Sequence, residues 1–124
     1  MSTVIDEEWK SLFQNNPKIQ AFAVCKDGTI VWQTSNWSLV EEGHELTTAA
    51  ETTAASIHAN GVKYNRIASS TGFYVATSEK NRGHFLMALV EGKTWVMAWA
   101  TADSVPELAA IDVSRTALKL ISRL

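Results

Sequence analysis

The chain has 124 residues, 46% hydrophobic and 19% charged, with a formal net charge of −2; this is the size and composition of one folded domain spanning 1–124, not of a disordered, collagenous or coiled-coil chain. Eleven Lys and Arg against thirteen Asp and Glu leave no basic surplus to attract a phosphate backbone, which argues against nucleic acid as a partner, and no apolar run approaches the roughly 18 residues of a membrane span. The acidic start MSTVIDEEW is the reverse of a signal peptide and the lone Cys25 cannot form an internal disulfide, so the expected setting is the reducing cytoplasm.

Residues 5–15, IDEEWKSLFQN, read as a helix with acids in its first turn, where the dipole favours them, and with Trp9, Leu12 and Phe13 on one face. Ile19 to Cys25 is strand-like, closes on Lys26-Asp27-Gly28, and is followed by a second strand from Thr29 to about Thr34, because Asp-Gly between apolar runs signals a hairpin. Leu46, Ala49, Ala50, Thr53, Ala54 and Ile57 share helical spacing, which predicts a helix from about Glu45 to Ala59, stopped by Asn60-Gly61. Four strands then follow, Val62 to Ser69, Phe73 to Ser78, His84 to Val90 and Thr94 to Thr101. The last is apolar on both faces, as expected of a central strand covered on both sides. Pro106 in the first turn and Ser104 as N-cap open a final helix running to about Arg123, predicted to bury Leu108, Ile111, Leu118 and Ile121 and to carry an Asp112–Arg115 surface ion pair. The expected fold class is therefore α+β, an antiparallel sheet of about six strands with the N- and C-terminal helices on one face and the middle helix on the other.

Chemistry is sparse. His44, His58 and His84 form no metal-ligand spacing, so no metal or other cofactor is expected. Cys25 ends an apolar strand and reads as a small hydrophobe. Gly92-Lys93-Thr94 resembles the tail of a phosphate loop but lacks the upstream glycine and sits in a hairpin turn. No carboxylate pair or nucleophile–base arrangement is visible, which favours a protein that binds over an enzyme. Five tryptophans are the one compositional excess. Trp95 and Trp99 fit the core, whereas Trp9, Trp32 and Trp37 lie on neighbouring segments, a distribution suited either to stapling the first helix or to an aromatic groove for a proline-rich peptide.

Several short motifs, in order, resemble profilins. Lys26-Asp27-Gly28-Thr29-Ile30 with Gln33, Asn36 and Trp37 resembles the family's hairpin and its exit, and Gly61-Val62-Lys63-Tyr64 the opening of its meander. Gly72 and Gly83 fall where the family turns, and Pro106 and Arg115 have counterparts in its last helix; the resemblance runs from about residue 19 to the end. It implies monomeric actin as the partner and a likewise monomeric, cytoskeleton-associated protein. The implied actin-binding residues are Lys63, Pro106 and Glu107, with Lys80 and Arg82 nearby by position. It further implies a groove for proline-rich peptides at Trp9, Phe13, Trp32 and Trp37. Three departures fit a divergent member of the family, archaeal or otherwise. The family's hairpin Trp falls at Val31, so strand alternation turns Trp32 to the opposite face; Trp9 lacks a Tyr three residues on; and the ending ALKLISRL has no aromatic. The alternative is a roadblock/LC7 domain, a dimeric scaffold for a small GTPase or motor complex, which has three strands after its second helix where four are predicted here.

Overall fold

The structure is a computed structural model that describes residues 3–124. Three helices, α1 (Thr3–Asn15), α2 (Gly43–Thr52) and α3 (Pro106–Leu120), accompany seven strands: β1 (Ile19–Lys26), β2 (Thr29–Gln33), β3 (Ser56–Ala59), β4 (Val62–Ser70), β5 (Phe73–Thr77), β6 (His84–Glu91) and β7 (Thr94–Ala100). They form one antiparallel sheet in the order β2-β1-β7-β6-β5-β4-β3. Strand alternation divides the core in two. Val96, Ala98 and Ala100 of β7 pack with Phe22, Leu86, Val113 and Leu120 under α1 and α3, whereas Trp95 and Met97 pack with Tyr64, Phe85 and Leu46 under α2. The α+β sandwich and the central, doubly covered β7 match the expectation, with one more strand than expected.

The extra strand comes out of the predicted middle helix. That helix ends at Thr52, because Thr53 turns into the left-handed region at φ 51° and donates its N–H to the Ala49 carbonyl. β-branched threonines hold a helix weakly, whereas Ser56-Ile57-His58-Ala59 can pair with β4. Asn60 and Gly61, at φ 51° and 81°, make the tight turn of that hairpin and are not a helix cap.

The last helix is correct in position but buries the other face. Ala109, Val113, Thr116, Ala117 and Leu120 are buried, whereas Leu108, Ile111, Leu118 and Ile121 are 58%, 50%, 67% and 40% exposed. Small side chains let α3 lie close against β6 and β7, and a one-sided helix covers only one stripe. Ser104 does not cap it. The N-cap is Val105, and the Ser104 hydroxyl donates to the Thr101 carbonyl at 2.7 Å. Among the described residues Asp112 makes no ion pair with Arg115; its carboxylate accepts from Asn15 at 3.2 Å and Asn16 at 2.9 Å, tying the end of α1 to α3.

Candidate functional site

Two apolar surfaces and one cationic edge follow from this arrangement. Between α3 and the outer part of β4–β5 runs a groove of about 470 Å³, lined by Ile67, Phe73 and Val75 from the strands and Ala110, Ile111 and Leu118 from the helix. A bulge between Arg66 and Ala68 makes it. Arg66 is held on the α2 side, donating to the Thr53 carbonyl at 2.6 Å, while the extra residue brings Ile67, 45% exposed, to the groove. Glu107 and Arg115 stand on its rim. Of the sequence-derived candidates, Pro106 forms the first turn of α3 and Glu107 reaches this groove.

Lys63, Lys80 and Arg82 gather elsewhere, around a separate cavity of about 270 Å³ shared with His58, Asn65 and Glu79. Lys63 lies opposite His58 in the sheet and four residues before Ile67, about 13 Å along the strand. Among the described residues the ion pairs are Lys18–Asp103 and Arg123–Glu8, so none of these three cations is ion-paired, and Glu79 is the one carboxylate that shares their cavity. The sequence thus pointed to three cations that the fold brings together, but not to the apolar lining. The available signal was the presence of two helical apolar stripes in α3, one more than a sheet can cover.

The second surface is aromatic. Trp9 stacks on Phe22 at 5.8 Å and tilts against Phe13 at 5.5 Å, and Phe22 meets Trp32 edge-on at 6.1 Å. Trp32 is therefore on the same side as Trp9, contrary to strict alternation. The bulge that pairs Val24 with Trp32 but Cys25 with Ile30 leaves Val31 as the extra residue, 50% exposed. Trp37 does not belong to the group. It is 6% exposed on the α2 side of the sheet, against Phe85 at 5.7 Å.

Among the described residues no three His, Cys, Asp or Glu side chains gather as a metal site. Cys25 is fully buried, and that burial pushes its thiol up to about 11. His84 is only 9% exposed, its Nδ1 2.9 Å from the Thr77 hydroxyl, and His58 lies on a strand. No helix of the described residues is long and apolar enough to cross a membrane.

A seven-stranded sheet with α1 and α3 on one face, α2 on the other and apolar side chains left open between helix and strands defines a small binding domain. No family model matches the chain. It is 30% identical over 120 residues to Thor profilin of the Thorarchaeota archaeon strain AB_25, covering 94% of each chain, and 30% identical over 103 residues to Odin profilin of Odinarchaeota yellowstonii, covering 82% of this chain and 85% of that one. The chain belongs to the profilin family. Its fold matches the profilin of a LokiProfilin2/rabbit actin complex with a TM-score of 0.93, at 23% identity over the whole of both chains. A roadblock/LC7 domain from Streptomyces avermitilis matches much less closely, with a TM-score of 0.54 at 8% identity over 91% of this chain and 92% of that one, and five strands follow α2 here.

Proposed function

We propose that this profilin binds monomeric actin and regulates its polymerisation without catalysing a reaction, acting in the cytoplasm as a monomer. The observation that carries the reading is the open groove along α3, where Ile67, Ile111 and Leu118 are 45%, 50% and 67% exposed in a chain whose relatives of the same fold are known as complexes with rabbit actin. Burying these side chains at about 25 cal/mol per Å² supplies the affinity. Pro106 and Glu107 border the contact at the start of α3. Lys63, Lys80 and Arg82 extend it at the strand end, where unpaired cations speed encounter with an acidic partner and make it salt-sensitive. The Ile111→Asp variant is expected to lose at least roughly tenfold in actin affinity with an unchanged melting temperature. Reversing Lys80 and Arg82 to Glu is expected to slow association and flatten its salt dependence. Undiminished binding by Ile111→Asp overturns the groove, and an unaltered salt dependence removes the cations from the site.

A second reading rests on Trp9, Phe13 and Trp32, whose rings form one cluster with Phe13 44% exposed. Aromatic clusters of this kind suit a proline-rich peptide. Titration with decaproline is expected to perturb the fluorescence of the protein but not of Trp9→Ala, and an equal response from both dismisses the cluster.

A further inference from the structure

On the α2 side of the sheet, the face opposite the α3 groove, a cavity of about 350 Å³ is walled by Trp37, Tyr64 and Trp99 and edged by Asn36, Asn60 and Arg82. Five separate segments supply these residues: the loop after β2, the β3–β4 turn, β4, the loop before β6, and β7. Trp37 and Tyr64 are 6% and 2% exposed and still border the space, so its walls are core aromatics held by packing, Trp37 and Tyr64 each 5.7 Å from Phe85. The volume falls at the lower end of the range of small-molecule sites, roughly 300–1,000 Å³.

The polar groups decide what would fit. Trp99 donates its indole N–H to the Arg82 carbonyl at 3.0 Å, and Asn36 donates its amide to the Gln20 carbonyl at 2.8 Å. These two bonds occupy the Trp99 indole N–H and one Asn36 amide N–H, and leave the Asn60 side-chain amide open at the edge. Arg82 is different. Its main chain is fixed against Trp99 by that hydrogen bond and by Gly83, at φ 100°, while its guanidinium has no carboxylate partner among the described residues. No Asp or Glu lines the cavity. Burial pushes the Tyr64 phenol up, opposed first by the neighbouring Trp99 indole and then by the Arg82 charge.

We propose that this cavity binds a small planar anion, an aromatic ring carrying one carboxylate or phosphate, with the ring against Trp99 and the edges that Trp37 and Tyr64 leave open, and the acid on Arg82. Stacking on the rings and the forked guanidinium supply complementary halves of the recognition, the first sequence-tolerant and apolar, the second charge-specific.

The test is a titration followed through the indole N–H resonances, with phenyl phosphate as the probe and inorganic phosphate and benzyl alcohol as its two halves. Phenyl phosphate is expected to shift Trp37 and Trp99, leave Trp9 and Trp32 in place, and saturate with a Kd of about 1 mM or tighter. Each half alone is expected to bind at least roughly tenfold more weakly, and Arg82→Gln, an exposed position whose loss leaves the fold intact, to weaken phenyl phosphate by a similar factor. Silence at Trp37 and Trp99 up to about 10 mM, full affinity in Arg82→Gln, or shifts confined to the Lys63–Lys80 edge would each overturn the proposal. Because Arg82 also belongs to the cationic edge proposed for actin, the two readings are separated by Ile111→Asp, which is expected to weaken actin and leave phenyl phosphate binding unchanged.

Discussion

Gly83 closes the β5–β6 connection at φ 100°, where a Cβ would lie 2.5 Å from the Ala100 carbonyl oxygen and 2.6 Å from the Trp99 ring. Neither obstacle is the flexible end of a side chain. Gly83→Ala therefore combines backbone strain with a clash, and is expected to cost about 1–3 kcal/mol in urea denaturation; wild-type stability would mean that the loop repacks without resistance. Cys25 makes a different prediction. Burial raises its thiol from 9.0 to about 11, so above pH 9 the unfolded chain releases the proton before the folded one. Its contribution is complete below pH 9 and is lost as pH rises to about 11. Tyr64 and Tyr74 are raised by burial too, so they also cost the fold stability at alkaline pH. The cysteine is isolated by comparison with Cys25→Ala, whose stability is expected to fall less steeply over that window; parallel curves would contradict it. Among the residues proposed for the contact, Lys63, Lys80, Arg82 and Glu107 were legible because charge and motif position mark them. Ile67 was not, since its exposure depends on a bulge that only pairing with β5 creates. The same limit misplaced Trp32, whose face is restored by the irregularity at Val31.

At the scale of elements, α3 carries both the stability of one sheet face and the proposed contact. Val113 is fully buried and Leu118 is 67% exposed. Val113→Ala is expected to cost on the order of 2 kcal/mol, and Leu118→Ala to stay within about 0.5 kcal/mol while weakening actin. Comparable losses of stability would mean that both stripes are structural. The existence of the helix and its start at Pro106 were readable from that proline and the period of the apolar residues, whereas the helix stops at Leu120 and not at about Arg123. Which stripe faces inward was not, because Ala109, Val113 and Ala117 alternate at the same spacing as the larger side chains and win through close approach to the sheet. The middle of the chain shows the converse. In sequence Asn60-Gly61 reads as a helix stop, yet tight-turn geometry at these two residues lets Ser56–Ala59 pair with β4, and local pairing overrides a helical pattern already weakened by threonine.

At the scale of the whole molecule, the division of labour follows from the sheet. One face, under α1 and α3, leaves an apolar groove beside the helix and an aromatic cluster near α1; the other, under α2, holds the Trp37–Tyr64–Trp99 cavity. The layered α+β arrangement was visible in the order of turn signals and apolar runs, because each strand and helix is short and clearly punctuated. The surfaces emerge only from the packing of distant segments, such as β4 against α3. The measurement that bears most directly on the account is calorimetric titration of the protein into monomeric actin, run beside Ile111→Asp. The account predicts a one-to-one complex with a Kd of about micromolar or tighter, a negative heat-capacity change from apolar burial, and loss of at least roughly tenfold in the variant. Absence of binding to a cognate actin, or equal binding by protein and variant, would contradict it.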